Sequence, residues 1–144
     1  MIYLLDTSAL VRLLRDPKLQ EAWYDAIDAE AIASCYPQRA EFLYSARDAA
    51  EYAEIAELLA DLYPDAAVPK TAGRWISAAQ YQMARAGHHR SASAVDLMIA
   101  ATAIAEGLPL YTTNPADFAG LENLVTIVPV TRPSVPHEQS PPRP

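Results

Sequence analysis

A chain of 144 residues, 51% hydrophobic and 20% charged, suits a single globular domain with room for a real core. No apolar stretch reaches the roughly 18 to 20 residues that span a bilayer. The short apolar opening also lacks the basic flank of a secretory signal, so no membrane role and a cytoplasmic location are expected. The net charge of −7 argues against a nucleic-acid partner only if the acids stay bare, because bound dications would bring an acidic site toward neutral or above.

Residues 2–6 read as a buried strand, an apolar run that Asp6 closes. Thr7 or Ser8 can cap a helix through about Arg15, with Leu10, Val11 and Leu14 facing inward and Asp16-Pro17 ending it. A second helix is expected over 17–31 on the stripe Leu19, Trp23 and Ile27, then a short strand over 31–35. Cys35 is the only cysteine and stands in an apolar stretch. It reads as a small buried hydrophobe, rules out an internal disulfide and fits a reducing compartment. Pro37 opens the next helix at its first position, and that helix carries Glu41, Phe42, Leu43 and Tyr44.

Residues 49–62 place Ile55, Leu58, Leu59 and Leu62 at helical spacing. A small strand is expected over 66–69, a helix over 71–87 that Gly87 ends, and a polar loop through Arg90. Ser91 or Ser93 caps the most strongly helical segment, 94–106, which Gly107 stops. A strand over 108–112, a turn over 113–115, one helical turn over 116–118 and a last strand over 124–128 complete the domain. Strands alternating with helices predict an α/β architecture, a mainly parallel sheet covered by helices on both faces. The domain is expected to occupy 1–131. Pro133, Pro136, Pro141, Pro142 and Pro144 crowd a polar tail over 132–144, which is expected to be disordered.

Four acids share a placement. Asp6 ends the first strand, Glu41 lies about one turn into its helix, Asp96 follows a serine cap and Asp117 follows the strand at 108–112. In a right-handed parallel sheet, strand carboxyl ends and helix amino ends fall on one edge. Carboxylates gathered there repel: at about 4 Å and an effective dielectric near 20, one like-charge pair costs about 4 kcal/mol. Proton uptake or a hard cation must offset that, and oxygen-only ligands suit Mg²⁺ or Mn²⁺. Taken singly, Asp96 reads more simply as a helix N-terminal acid and Asp117 as a turn acid, while Glu41 fits a solvated helix face equally well. Asp6 is harder to explain that way, because a carboxylate directly after a buried strand is costly without a partner.

The residues also resemble a known family. Leu4-Leu5-Asp6-Thr7-Ser8-Ala9-Leu10 is similar to the opening of PIN domains, especially the VapC-type toxins of bacterial toxin–antitoxin pairs. Ala40-Glu41-Phe42-Leu43-Tyr44, the run Ala94-Val95-Asp96-Leu97-Met98 and the run Thr112-Thr113-Asn114-Pro115-Ala116-Asp117-Phe118 resemble the later acidic segments, in family order. The segment Cys35–Arg39 departs from the pattern, lacking the usual Ser or Thr cap. The resemblance implies a PIN-like three-layer fold and a Mg²⁺- or Mn²⁺-dependent endoribonuclease with Asp6, Glu41, Asp96 and Asp117 as metal-binding and catalytic acids. It further implies a homodimer and an antitoxin whose basic segment occupies the site. Thr7, Ser8, Thr112 and Asn114 are expected around the acids, although capping and turn formation explain the three hydroxyls as well.

Other chemistries fit less well. A haloacid-dehalogenase-like phosphatase needs a second Asp two residues after the first, where Ser8 stands, and a response-regulator receiver needs adjacent acids that Leu5-Asp6-Thr7 lacks. An inactive PIN-like module that binds RNA or a partner is the remaining alternative. His88, His89 and His137 read as solvated loop and tail residues. Arg39 and Arg90 are the candidates to guide RNA phosphates, because each lies near an acid in sequence.

Overall fold

The computed structural model describes residues 1–130; the tail expected over 132–144, with His137, lies outside the described residues. The chain runs β1 (Tyr3–Leu5), α1 (Thr7–Arg15), α2 (Pro17–Ala22), α3 (Tyr24–Asp28), β2 (Ile32–Ala33) and α4 (Tyr36–Leu43). It continues through α5 (Ala49–Leu62), α6 (Ala72–Arg85), α7 (Ala94–Glu106), β3 (Leu110–Thr112), a 3-10 turn (Pro115–Phe118) and β4 (Ile127–Pro129). The strands form one sheet in the order β2-β1-β3-β4, parallel throughout. This is the α/β three-layer architecture that the alternation of elements predicts.

Strand register explains two separate cores, since successive strand residues face opposite sides of a sheet. Leu4 pairs with Ala33 and Leu110, and all three are buried on one face with Met83, Leu97, Ile99 and Phe118. Tyr3 and Leu5 pair with Ile32 and Tyr111, buried on the other face with Leu10, Leu13, Trp23 and Leu59. Helices α6 and α7 cover the first face; α1, α2 and α5 cover the second. Helix α4 packs against α1, α5 and α7 and so joins the two layers.

Several elements differ from the sequence-based expectation, each for a physical reason. The expected helix over 17–31 breaks at Trp23, whose φ of −98° and ψ of 5° leave the helix. The break turns the indole fully into the core, where it meets Tyr3 and Tyr111 edge-on with centroids 4.9 and 5.6 Å away. Such aromatic pairs contribute about 0.5 to 1.5 kcal/mol each beyond area burial. Helix α1 is capped by Asp6 rather than by Thr7 or Ser8, and it buries Leu13 in place of Val11 and Leu14. Helix α4 begins at Tyr36, with Pro37 at its second position. The segment 66–69 forms no strand; next to it lies one isolated parallel bridge, Ser34 to Asp65. Pro64 and Pro69 bracket it and cannot donate to a ladder.

Tyr63 ends α5 with its side chain 3% exposed and its hydroxyl without a partner. Burial pushes the phenol up to about 12 from its usual 10.0. The folded chain thus keeps a proton that the unfolded chain loses above pH 10, so stability falls as pH rises from 10 to about 12. Tyr63→Phe removes both the unpaired hydroxyl and this titration. Urea unfolding is expected to show a gain of about 1 kcal/mol at neutral pH, widening above pH 10; a loss of stability in the variant would contradict the unpaired hydroxyl.

Candidate active site

The site is built around Asp6, the first residue after β1, only 4% exposed. Its backbone N–H donates to Tyr111 O at 2.9 Å, extending the β1–β3 pairing by one step. In the order β2-β1-β3-β4 the chain runs from β1 to one side of the sheet and from β3 to the other, and such a switch point is where parallel sheets open their ligand crevice. The Asp6 side chain caps α1: Oδ1 accepts from Ala9 N at 2.9 Å and from the Ser8 hydroxyl at 2.7 Å. Its Oδ2 accepts from the Thr112 hydroxyl at the end of β3. Thr112 Oγ1 in turn accepts from Asn114 N at 3.0 Å, and Ser8 Oγ from Thr113 N at 3.3 Å. Both hydroxyl protons therefore point at one carboxylate, which ties the end of β1 to the end of β3.

A carboxylate offers about four acceptor positions. Three are filled here, which leaves one on Oδ2. Desolvation raises the Asp6 pKa above the usual carboxylate value, and repulsion from Asp96 adds to this. The bonds from Thr112, Ser8 and Ala9 oppose the rise without cancelling it. Asp6 and Asp96 thus come within electrostatic reach across a gap of 90 residues. Asp96 is the third residue of α7 and closes a capping box with Ser93: Ser93 N donates to Asp96 Oδ2 at 2.9 Å and Asp96 N to Ser93 Oγ at 3.1 Å. Its Oδ1 makes no hydrogen bond among the described residues.

The other two acids stand apart from this pair. Glu41 is exposed on α4, and Asp117 is half-buried in the 3-10 turn. Among the described residues no three His, Cys, Asp or Glu side chains cluster closely enough to enclose a metal ion. The donor chemistry of the pair still fits Mg²⁺ or Mn²⁺. Mg²⁺ in particular uses one or two carboxylates and takes its remaining ligands from water and phosphate rather than from an all-protein cage. Thr7 Oγ1, buried next to Asp6 and unpaired, is a polar atom left over for such a layer.

Of the remaining expected residues, Ser8 and Thr112 bond Asp6 directly. Asn114 is exposed and contributes its backbone, donating to Thr112 and accepting from Asp117 N at 3.0 Å. Arg39 does not point free toward phosphate; it pairs with Asp65 at 2.6 Å and donates to Ser34 Oγ at 3.2 Å. His88, His89 and Arg90 are exposed in their loop. Burial pushes the Cys35 thiol up, as fits an inert core residue. Sequence reasoning missed Gln38 and Ser34, each 1% exposed. Gln38 Nε2 donates to the Leu5 carbonyl and its Oε1 accepts from Ser34 Oγ at 2.8 Å. The available signal was a glutamine between Pro37 and Glu41 at the start of a helix that lacks a side-chain cap.

A raised folded-state pKa means that the native chain binds more protons than the unfolded chain. Stability therefore falls as pH climbs from the unfolded value through the folded one, and at neutral pH the Asp6 charge is a net cost. Asp6→Asn removes that charge and keeps an acceptor for Ala9 N and Ser8, while Thr112 Oγ1 changes from donor to acceptor opposite the new Nδ2. In chelator, calorimetry is expected to show a higher Tm for the variant than for the wild type. Added Mg²⁺ should raise the wild-type Tm and leave that of the variant unchanged; a lower variant Tm in chelator would refute the desolvation argument.

Comparison with known proteins identifies the family and the fold. The family model described as PIN domain matches residues 3–124. Ribonuclease VapC18 of Mycobacterium tuberculosis is 37% identical over 111 residues, covering 74% of this chain and 78% of that protein. Ribonuclease VapC6 of the same species is 51% identical over 78 residues, and the chain spans only 61% of its length. Among solved structures, VapBC2 from Rickettsia felis, bound to a DNA fragment from its promoter, superposes with a TM-score of 0.70 at 22% identity. That match covers 91% of this chain and all of the other. VapBC-5 from Mycobacterium tuberculosis, a member of a toxin–antitoxin family, gives a TM-score of 0.59 at 24% identity, with 90% and 97% covered. At such identities these two matches speak for the fold alone. With the matched model spanning nearly the whole described chain, the protein belongs to the PIN domain family.

Proposed function

We propose that the chain is a Mg²⁺- or Mn²⁺-dependent endoribonuclease, the toxin of a toxin–antitoxin pair, hydrolysing RNA phosphodiester bonds in the cytoplasm. The observation that carries this reading is the Asp6–Asp96 pair. It sets a desolvated carboxylate at the switch point of a parallel sheet, within electrostatic reach of a second acid, with acceptor positions left open on both. The ribonuclease names of the two relatives support the substrate class.

In this reading Asp6 and Asp96 would hold the ion, each having an open acceptor position. When bound, it lowers the pKa of water and offsets charge on the phosphodiester oxygens. Ser8, Thr112 and Ala9 N keep Asp6 oriented and favour its ionised form. Thr7 Oγ1 and Asn114 contact the surrounding water. Glu41 and Asp117 act from α4 and the 3-10 turn through intervening water, accepting the proton of the attacking nucleophile and completing the acidic rim. A chain of net charge −7 also complements a partner with a basic segment, as an antitoxin would supply, and a second copy of the chain completes the proposed assembly. The alternative is an inactive module that binds RNA or a partner. One observation favours it: the described residues contain no ready cluster of three acids.

Incubating pure protein with RNA separates the two. Cleavage is expected with Mg²⁺ or Mn²⁺ and not with EDTA. Asp6→Asn and Asp96→Asn should each lower the rate by about two orders of magnitude, the scale of losing one preorganised electrostatic contact. Asn at position 96 can still accept from Ser93 N, so the helix cap survives and only the charge is lost. Undiminished cleavage in both variants would remove the metal site from the mechanism.

A further inference from the structure

The buried pair Gln38 and Ser34 occupies a break in the sheet. Strand β2 ends at Ala33, one residue short of Leu5. Beyond it Ser34 turns to the 64–66 segment, accepting from Ala66 N at 2.7 Å and donating its N–H to Pro64 O at 2.9 Å. Asp6 N–H points to β3, so the Leu5 carbonyl, on the opposite side of the same planar peptide, faces the space that β2 has left. With Tyr3 N bonded to Ala31 O and Ser34 N turned to Pro64 O, a continued ladder would bring Cys35 N to the Leu5 carbonyl; Gln38 Nε2 supplies that donor instead, and Ser34 Oγ holds the other end of the amide. Arg39 completes the set by donating to Ser34 and Asp65, so every polar atom of this relay is satisfied.

The bonded carbonyl immediately precedes Asp6, and Glu41 lies one turn after Gln38 on the same helix. Gln38 is buried and Glu41 exposed, so the helix itself carries the link from one to the other. One side-chain amide thus links the strand end that carries Asp6 to the helix that carries Glu41. We propose that Gln38, held by Ser34, is a positioning residue that sets the spacing between Asp6 and Glu41. This rests on the metal-dependent nuclease reading above.

The test compares wild type, Gln38→Met, Ser34→Ala and Val125→Ala. Val125 is a control for stability alone; it is buried beside Gly107, Leu108 and Pro109, at the end of the sheet opposite Asp6. Mn²⁺ affinity is read from the resonance of free Mn²⁺, kcat and KM from cleavage of a fluorogenic RNA oligonucleotide, and Tm from calorimetry. Gln38→Met is expected to weaken Mn²⁺ binding about tenfold and to lower kcat about tenfold at unchanged KM, the scale seen when a group that orients a metal ligand is lost. Val125→Ala should lower Tm and leave both unchanged. Ser34→Ala should give the same split on a smaller scale, and it decides the question if Gln38→Met does not fold. Wild-type affinity and kcat in the folded variants overturn this assignment alone. A wild type that neither binds Mn²⁺ nor cuts RNA overturns the nuclease reading, and this assignment with it.

Discussion

The desolvated carboxylate of Asp6 is the constraint around which the structure is arranged. It sits after a fully apolar strand, where an unpaired charge would cost several kcal/mol. The protein lowers that cost with three short-range donors from α1 and the end of β3. These donors also do structural work: Ala9 N starts the helix, and Thr112 closes the β1–β3 crevice. The compensation is incomplete, because the Asp6 pKa stays above normal and the nearby Asp96 raises it further. A residue left with that imbalance is suited to a ligand that restores it, and a hard dication is such a ligand.

Asp96 shows that the structural and chemical roles of an acid need not compete. One of its oxygens closes a capping box with Ser93, which fixes the side chain at the amino end of α7. The other oxygen remains open. Asp6 divides its oxygens in a similar way, with both positions on Oδ1 spent on the start of α1 and one on Oδ2 left over. Capping thus becomes a means of orientation. A side chain held by its own backbone loses little further freedom when it binds an ion.

The end of β2 illustrates the same economy. A longer β2 would have paired Leu5 by backbone alone. The strand ends after Ala33, Ser34 turns to the 64–66 segment, and Gln38 from α4 bonds the Leu5 carbonyl in place of the ladder. A fully satisfied polar relay in a core favours a single arrangement, because any shift leaves a buried group unpaired.

Much of the architecture was legible in the residues. The alternation of apolar runs with capped helical segments gives a parallel α/β sheet, and Asp6 stands out because a charge after a buried strand demands a partner. Ser93 with Asp96 and Gly107 bound α7 correctly, since caps are local interactions within four residues. Long-range packing decided the rest. Trp23 breaks a helix that its own periodicity favours, where its indole packs edge-on against Tyr3 and Tyr111. The segment 66–69 has no strand to join, Arg39 finds Asp65 26 residues away, and Gln38 finds a carbonyl 33 residues back. By itself the sequence determined which acids the chain carries and which elements hold them, through periodicity and capping that act over a few residues. Which of those acids come within electrostatic reach of each other, and which buried amide bonds the end of β1, only the tertiary structure decided, because those contacts join residues whose proximity no local pattern encodes.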